Sequence, residues 1–299
     1  MFHLFLWFQK DNFAIEGSIQ IEMYFFIKCY SMKQLKGKIV LVTGGASGIG
    51  KIMVRLLLER AAKVIIWDIN ELKIAETISE FSNKGTISGF TIDVSNVNQI
   101  KETALKVKEE IGAVDLLINN AGIVAGKYFH EHTTLDILKT MEINANAPMH
   151  ITKEFLNEML AQNSGHICNI ASSGGLISNP KMSVYAASKW SLVGWSDSLR
   201  LEMEQLKKNI NVTTIMPYFI NTGMFDGVRS KIPILNPEVA ALTIIKAIEK
   251  NKRMVTIPGY IYRLIKLGQG LMSINVLDWF AGNVLGIYKT MEHFTGHKK

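Results

Sequence analysis

Short runs of valine, isoleucine and leucine alternate with longer amphipathic stretches, and this alternation constrains the fold more than any other feature. Runs made of such residues are typical of strands buried on both faces. We predict strands at 38–42, 64–67, 87–92, 115–118, 165–170 and 210–215. Helices are predicted at 50–61, 71–81, 97–111, 137–160 and 184–207. The expected fold class is α/β, a single doubly wound, Rossmann-like parallel sheet with helices on both faces.

A chain of 299 residues can form one domain with a large core, and no repeat or low-complexity linker divides it. We predict a Rossmann-like domain over 32–256 and an apolar C-terminal segment over 257–299. Residues 1–31 are expected to be a poorly ordered extension, or to precede a true start at Met32. The apolar run 1–8 is far shorter than the ~20 residues of a membrane span, and a signal peptide is disfavoured.

Charge and cysteine content restrict the classes of partner. The formal net charge is +7, but lysine and arginine are scattered, which favours anionic cofactors or lipid surfaces and argues against nucleic acid. Cys29 and Cys168 are far apart, which argues against a disulfide scaffold and fits a reducing, cytoplasmic compartment. No histidine or cysteine pair has metal-ligand spacing, so no metal is expected.

The first predicted strand runs into a glycine-rich turn at 43–50, and a helix follows. Glycines let a backbone approach a pyrophosphate closely, and a helix N-terminus offers free N–H groups and a positive dipole. The spacing differs from the common G-x-G-x-x-G pattern, so a simple glycine-rich turn is the alternative. The residues expected to contact a dinucleotide here are Thr43, Gly44, Ser47, Gly48, Ile49 and Gly50.

Acidic residues follow the second and third predicted strands. Asp68 can accept hydrogen bonds from both ribose hydroxyls of NAD and would repel the 2′-phosphate of NADP, so NAD is the favoured cofactor. A turn-capping role for Asp68 is the alternative. Asp93, followed by Val94, either touches the adenine edge or caps the helix that begins near Ser95.

The fourth predicted strand leads into Asn-Asn-Ala-Gly at 119–122. The backbone of Asn119, Ala121 and Gly122 is expected to line the cofactor crevice, because ligands of doubly wound sheets bind beyond the carboxyl ends of the strands. The alternative is that the side-chain amides simply lock the loop. The two interpretations are compatible.

The sharpest signal is a tyrosine and a lysine four residues apart, Tyr185 and Lys189, on a predicted helix. Residues at this spacing share one helix face, so the phenol and the ammonium lie close together. A free tyrosine has a pKa near ~10, and a neighbouring ammonium together with a positive nicotinamide ring stabilises the phenolate, so we expect a lowered pKa that suits acid–base work. Ser172, just past the fifth strand, can hydrogen-bond a substrate oxygen.

With these motifs the chain resembles the short-chain dehydrogenase/reductase family. The family pattern is T-G-x-x-x-G-x-G, N-N-A-G, a serine and Y-x-x-x-K, and it occurs in this order within roughly 35–250. The resemblance implies an NAD(P)-dependent oxidoreductase acting on CH–OH groups. By it, Tyr185 donates or accepts the proton, Ser172 polarises the reacting oxygen, and Lys189 holds the nicotinamide ribose. Asn144, rather than nearby Asn146, would hold a water in the proton relay.

The loop after the sixth strand departs from the Pro-Gly of many family members and reads Pro-Tyr-Phe-Ile-Asn-Thr-Gly at 217–223. This form resembles the retinol and 17β-hydroxysteroid dehydrogenases, whose substrates are lipophilic alcohols and ketones. The resemblance implies cofactor contacts from Pro217, Ile220 and Thr222, with Thr222 facing the nicotinamide amide. Tyrosine in the place of glycine leaves the shape of the pocket roof open.

Three regions carry open interpretations. Residues 223–233 are either a substrate lid or a surface connection. The apolar stretch 257–291 either buries against the sheet, closes over the pocket or makes peripheral contact with a membrane. The apolar residues of the Tyr185 helix either pack within the chain or form the interface of a homodimer or homotetramer; they are Trp190, Leu192, Val193 and Trp195.

Two rival functions remain at this point. The same catalytic residues can reduce a 3-oxoacyl thioester. A non-catalytic, NAD-sensing partner protein is the rival from another class, although it has no need of the four residues Asn144, Ser172, Tyr185 and Lys189.

Overall fold

Seven parallel strands form one sheet in the computed structural model, which describes residues 35–296. The strand order is β3-β2-β1-β4-β5-β6-β7. The strands are Ile39–Thr43 (β1), Lys63–Asp68 (β2), Ile87–Thr91 (β3), Leu116–Asn119 (β4), Gly165–Ile170 (β5), Ile210–Pro217 (β6) and Met254–Ile257 (β7). The predictions on residues 1–31, on Met32 and on the last three residues of the C-terminal segment lie outside the described residues.

Helices connect the strands and extend the chain beyond the last of them. They are Gly48–Leu58 (α1), Glu71–Phe81 (α2), Val97–Glu110 (α3), Thr134–Met141 (α4), Ala147–Gln162 (α5), Ser183–Gln205 (α6), Pro237–Glu249 (α7), Tyr260–Leu271 (α8) and Ile274–Trp279 (α9). The predicted α/β class with a doubly wound parallel sheet is therefore confirmed. The strand order reverses between β1 and β4, which puts a crevice beyond the carboxyl ends of these two strands.

The core lies on both faces of the sheet, because alternate strand residues point in opposite directions. Val40 and Val42 pack in a cluster with residues of α1 and α7. Leu41, between them, belongs to the cluster on the opposite face, which contains residues of α3, α5 and α6. In that second cluster the rings of Trp67 and Phe155 have centroids 5.9 Å apart. Burial on both faces explains the apolar runs of β1, β2 and β4.

The helix predicted at 137–160 is interrupted. A π-helical turn, Glu142–Asn146, separates α4 from α5, and the N–H of Ala147 bonds the carbonyl of Glu142 five residues earlier. Pro148 has no N–H to donate to the Asn144 carbonyl four residues earlier, so regular α-helical bonding fails at this point. The amphipathic periodicity continues from α4 into α5, so the sequence pattern predicted one uninterrupted helix.

The sequence pattern missed α7 and β7. β7 has four residues and follows the polar segment 250–253, so it was too short for a periodic signal. It pairs in parallel with the end of β6, where Pro217 lies opposite Ile257. This pairing extends the sheet by one strand and directs the chain towards the same end of the sheet as the glycine-rich turn.

The C-terminal segment packs on the sheet domain through some residues and exposes others. Ile261, Ala281, Ile287 and Met291 are buried, and the side-chain amide of Gln269 donates to the carbonyl of Leu176 at 2.9 Å. Among residues 35–296, no helix combines the length and the apolar character that crossing a bilayer requires.

The apolar residues of α6 pack mainly within the chain. Leu192 is buried, and Val193 and Trp195 contact neighbouring core clusters. The intrachain explanation therefore holds for these three. Trp190 alone among the four is exposed.

A buried histidine in β5 predicts acid sensitivity. Burial lowers the pKa of His166 to about 4 from 6.5, and its Nε2 lies 2.8 Å from the Thr213 hydroxyl. As pH falls through this window, the unfolded chain gains a proton that the folded one resists, so stability falls. The free energy of unfolding should fall between about pH 7 and about pH 4.5, and this fall should be about 2 kcal/mol smaller in His166→Gln than in the native chain.

Urea unfolding at the two pH values measures this difference. His130→Gln is the matched control, because His130 is exposed. Equal acid-induced losses in the native chain and in His166→Gln would show that His166 does not carry the effect.

Candidate active site

The glycine-rich turn leaves β1 in a conformation that needs glycine. Gly44 and Gly48 have φ values of +63° and +52°, in the left-handed region. A Cβ on Gly50 would collide with the carbonyl oxygen of Gly44, because α1 starts directly over the turn. These restrictions bring the N-terminus of α1 to the crevice between β1 and β4.

The first turn of α1 is suited to an anion. The backbone of Ser47 is extended at the N-cap, its side chain caps nothing within 35–296, and the first turn has no acidic residue. The first N–H groups of a helix have no partner inside the helix. Such a terminus fits a pyrophosphate, so the residues present fit a dinucleotide.

Asp68 lies at the end of β2 and supports the glycine turn. One carboxylate oxygen accepts from the Ala46 N–H at 3.0 Å and the other from the Asn70 N–H at 3.1 Å. Asp68 therefore does have the turn-capping role given as the alternative. The same two hydrogen bonds hold its carboxylate at the edge of the crevice. α2 itself is capped by Asn70, whose side chain accepts from the Lys73 N–H.

Asp93 forms a local turn beyond β3. Its side chain accepts from the N–H and from the hydroxyl of Ser95, at 2.9 and 2.7 Å. The alternative that Asp93 caps the next helix is wrong, because Asn96 caps α3. Val94 is buried beside it.

The loop after β4 is fixed to the glycine turn. The hydroxyl of Thr43 accepts from the N–H groups of Asn120 and Ala121 at 2.9 and 3.0 Å. The amide of Asn120 donates back to the Thr43 and Gly44 carbonyls, so side-chain amides do lock this loop. Asn119 is buried and donates to Asn169, so its side chain supports the sheet.

Tyr185, Lys189 and Ser172 come together at the end of β5. Tyr185 and Lys189 are buried on α6, and the Lys189 Nζ lies 5.8 Å from the centroid of the phenol ring. That Nζ donates to the Ile170 carbonyl at 2.9 Å. The Ser172 hydroxyl accepts from the Gly174 N–H at 3.0 Å, which leaves its own proton free to donate.

Burial sets the pKa values of this group. It raises the pKa of Tyr185 to about 12, although the interaction with the Ser172 hydroxyl acts in the opposite direction. It lowers the pKa of Lys189 to about 8. In the protein alone the cost of burying the phenolate outweighs the nearby donors, and the lowered phenol pKa expected with a positive nicotinamide ring stays a prediction.

Asn144 lies in the π-helical turn and is fully buried. Its side chain accepts from the Ile123 N–H and donates to the Ile123 carbonyl and the Ser188 hydroxyl. A Cβ on Gly122 would lie 3.3 Å from Asn144 Oδ1 and 3.6 Å from Lys189 Nζ, so the three residues are adjacent. Asn146 instead donates to Glu142.

Ser188 was missed by the sequence reasoning. Its hydroxyl accepts from Asn144 and donates to the Tyr185 carbonyl at 2.7 Å, and so connects the π-helical turn to α6. Its position inside the Tyr185–Lys189 stretch was the available signal, but neither spacing nor charge marks a serine for this role.

The loop after β6 lies across the crevice. Thr222 contacts the glycine turn, since its Cβ would be 3.7 Å from a Cβ on Gly48. Pro217 ends β6, and Ile220 is buried and bridges to Leu235. The loop thus brings its residues to the same crevice as the turn.

Beside Ser172 there is a cavity of about 440 Å³ with largely apolar walls. Tyr218 and Phe219 lie on it, and the rings of Phe219, Phe225 and Tyr185 follow one another edge to face at 5.0 and 6.1 Å. The Tyr218 hydroxyl is 2.8 Å from that of Ser230. The tyrosine in the usual glycine position therefore closes the roof and ties it to the 223–233 loop.

The far wall of the cavity comes from the C-terminal segment, and the sequence did not identify its residues. They include Tyr260, Ile261, Leu264, Leu267, Gly268, Leu271, Phe280, Ala281 and Ile287. A generic apolar tail carries no residue-level signal for this wall.

Comparisons with known proteins agree with this geometry. A family model described as short chain dehydrogenase matches residues 38–233. Epidermal retinol dehydrogenase 2 of Mus musculus is 34% identical over 289 residues, which cover 94% of this chain and 93% of the relative. Estradiol 17-beta-dehydrogenase 11 of Homo sapiens is 34% identical over 248 residues, covering 81% and 83%. The predicted resemblance to the retinol and 17β-hydroxysteroid dehydrogenase group is confirmed.

Solved structures show the same fold. A short chain dehydrogenase/reductase from Burkholderia phymatum, solved in complex with NAD, superposes with a TM-score of 0.73 at 25% identity. The superposition covers 79% of this chain and 94% of that one.

The tight turn can be tested by adding one methyl group. Gly50→Ala should lose about 1–3 kcal/mol of folding stability, because its Cβ collides with the Gly44 carbonyl. Gly194→Ala is the control: it lies in α6 with no described atom within 4 Å of its Cβ position. It should be neutral or gain up to about 1 kcal/mol. Urea unfolding gives both values, and equal midpoints for the two variants would contradict the packing argument.

Proposed function

The chain belongs to the short-chain dehydrogenase family and is an oxidoreductase of CH–OH groups, and on that premise we propose that it interconverts a lipophilic alcohol and its carbonyl. The observation that carries the proposal is the position of Ser172, which borders both the Tyr185–Lys189 pair and the apolar cavity. A substrate oxygen beside the Ser172 hydroxyl would lie within reach of the Tyr185 phenol.

The cofactor is a nicotinamide dinucleotide, and NAD rather than NADP is the form that we propose. The turn 43–50 would hold the pyrophosphate, Asp68 the adenosine ribose, and Asp93 with Val94 the adenine. The backbone at 119–122, with Lys189 and the loop 217–222, would hold the nicotinamide half. When bound, NAD supplies the site that accepts or returns the hydride.

Ser172 and Tyr185 act on the substrate oxygen. Ser172 donates its free proton to that oxygen and stabilises the charge that develops there. In carbonyl reduction, Tyr185 donates its proton, and its raised pKa keeps the phenol protonated beforehand. In alcohol oxidation it accepts the proton, which requires positive charge nearby to offset the cost of a buried phenolate.

Lys189 and Asn144 connect the phenol to solvent in this proposal. With a pKa of about 8, Lys189 can both hold and release a proton near neutral pH. The Asn144 carbonyl lacks an α-helical donor because Pro148 follows four residues later, so it is available to a water molecule. The proton would pass between Tyr185, Lys189 and that water.

Retinoids, steroids and fatty alcohols are the substrate types that we propose. A cavity of about 440 Å³ is within the range of small-molecule sites, and its walls are almost entirely apolar. The relatives' names, retinol and estradiol dehydrogenases, agree with this class. A 3-oxoacyl thioester reductase is the enzymatic rival, and an NAD-sensing partner protein is the non-catalytic one.

Assembly and location belong to the same proposal. We propose a homodimer or homotetramer and a cytoplasmic location, with peripheral membrane contact through the C-terminal segment. Exposed Trp190 on α6 supports an interface between subunits. Cys168 is a free, buried thiol, which agrees with a reducing compartment.

Turnover should depend on the Tyr185 hydroxyl. We expect NAD-dependent oxidation of retinol, estradiol or a long-chain alcohol, and we expect Tyr185→Phe to lower kcat by about 10²–10⁴-fold with little change in the Kd for NAD. The phenyl ring keeps its contact with Phe225, so folding is retained. NADH formation and calorimetric titration of NAD measure the two effects.

Tyr128→Phe is the matched control, because Tyr128 is half exposed and outside the cavity. Near-native rates in Tyr185→Phe would refute the catalytic assignment. Activity on acetoacetyl thioesters alone would favour the reductase, and NAD binding with every substrate inert would favour the sensor.

Cofactor preference should depend on the Asp68 charge. Asp68→Asn keeps one acceptor oxygen for the Ala46 N–H or the Asn70 N–H, loses the other bond, and removes the charge that repels a 2′-phosphate. The ratio of kcat/KM for NAD to that for NADP should fall about tenfold or more, equivalent to about 1.4 kcal/mol. Asp93→Asn should leave the ratio unchanged. An unaltered ratio in Asp68→Asn would assign the preference to other residues.

A further inference from the structure

The cavity opens to solvent through a rim of large apolar side chains. Six residues both line the cavity and are 37–77% exposed, and they form what we call the mouth. The mouth residues are Tyr260, Leu264, Leu267, Leu271, Met272 and Phe280. A substrate that reaches Ser172 by this route passes mainly apolar side chains.

Apolar surface continues beyond the mouth. Ile274, Val276, Trp279 and Val284 are exposed but do not line the cavity, and we call them the margin. Mouth and margin contain ten of the twenty-two exposed large hydrophobic residues within 35–296, all between 260 and 284. Singly scattered apolar residues are normal on a surface, whereas a concentration of this kind marks an interaction site.

Basic side chains accompany this apolar face. Arg263 and Lys266 are exposed on α8, between the mouth residues. The acid on the adjoining α9 is Asp278, which accepts a hydrogen bond from the Tyr288 hydroxyl at 2.6 Å. Apolar anchors with cations beside them match the chemistry of an anionic phospholipid surface.

The 223–233 loop beside the cavity is bonded to the chain that follows α9. The 223–233 loop bonds the last part of the chain through the Arg229 N–H to the Thr290 carbonyl at 3.1 Å and the Thr295 N–H to the Asp226 carbonyl at 2.9 Å. The Lys231 ammonium donates to the Val284 carbonyl at 2.9 Å. These bonds join the 223–233 loop to residues 284–295, whereas the mouth residues line the cavity and are exposed to solvent.

We propose that the mouth and margin dock on a phospholipid membrane and that substrate enters the cavity from the lipid. The docking rests on the membrane contact proposed above and specifies the residues that make it, and the identity of the substrate rests on the proposed catalytic function. A second copy of the chain is the poorer occupant. A two-fold contact through this face would bring the positive charges of Arg263 and Lys266 close to the same charges of the second copy. It would also block substrate from entering the cavity through the mouth.

A site-specific label tests the docking in the full chain. Cys29→Ser with Ile274→Cys leaves one reactive thiol on the margin, because Cys168 is fully buried and burial raises its thiol pKa. A nitrobenzoxadiazole label reports whether position 274 leaves water. The matched control carries the label at Leu105→Cys, a residue as exposed as the margin but on α3.

With vesicles of phosphatidylcholine and phosphatidylserine, the label at 274 should shift to the blue and brighten, and the label at 105 should not. Vesicles of phosphatidylcholine alone should give a weaker response. Absence of binding would overturn the proposal, and so would vesicle binding with the 274 label still in water. A shift that grows with protein concentration without vesicles would assign the face to self-association instead. None of these outcomes depends on catalysis.

Ile274→Glu with Trp279→Glu supplies a second measurement. Both side chains lie outside the cavity, so the pair tests the surface without altering the substrate walls. Vesicle affinity should fall about tenfold or more, because two apolar side chains that would insert into the lipid are replaced by negative charges that anionic lipid repels. Leu105→Glu with Leu206→Glu is the control pair of similar exposure, and it should keep native affinity. Equal losses in the two pairs would contradict a specific docking face.

Discussion

Two hydrogen bonds to one hydroxyl define the crevice on which the rest of the site depends. Thr43 Oγ1 accepts from consecutive backbone N–H groups after β4, and Asn120 returns two bonds to the end of β1. These strands are adjacent where the strand order reverses, and their loops would diverge without the tie. With the loops joined, Gly122 lies against Asn144 and Lys189. The tie between the two loops thus helps to fix the position of α6 relative to the glycine turn.

Burial favours the uncharged forms of both Lys189 and Tyr185. Burial lowers the pKa of Lys189 to about 8, and the Ile170 carbonyl provides a fixed partner at 2.9 Å. The same burial raises the pKa of Tyr185. Both shifts favour the neutral forms, so an additional positive charge in the crevice would be needed to favour the phenolate. The protein alone is therefore arranged for a protonated phenol, which suits proton donation to a carbonyl oxygen.

Sequence patterns predicted the sheet and brought together the Gly44 turn, Ser172, Tyr185 and Lys189, because apolar runs and helix spacing are local features. They failed where structure depends on distant or missing partners. The π-helical turn lies directly before Pro148, whose missing N–H disfavours regular α-helical bonding there, and hydrophobic periodicity does not reveal it. The cap at Asn96 depends on the conformation of the loop before α3, and the Ser188 bridge depends on the approach of the π-helical turn to α6. The pKa of Tyr185 in the protein alone is raised by burial, which the four-residue spacing of Tyr185 and Lys189 does not reveal.

The C-terminal segment contributes to the cavity through its backbone at one place and through its side chains at another. Its last residues bond the 223–233 loop through N–H and carbonyl groups, which fasten one edge of the cavity whatever the local side chains are. α8 and the residues after α9 supply apolar side chains to the opposite edge, where cavity wall and outer surface share residues such as Leu264 and Phe280. The proposed reacting groups come from the end of β5 and from α6, and more than half of the residues that line the apolar cavity come from beyond β7. Changes in this segment would therefore alter the cavity without moving Ser172, Tyr185 or Lys189.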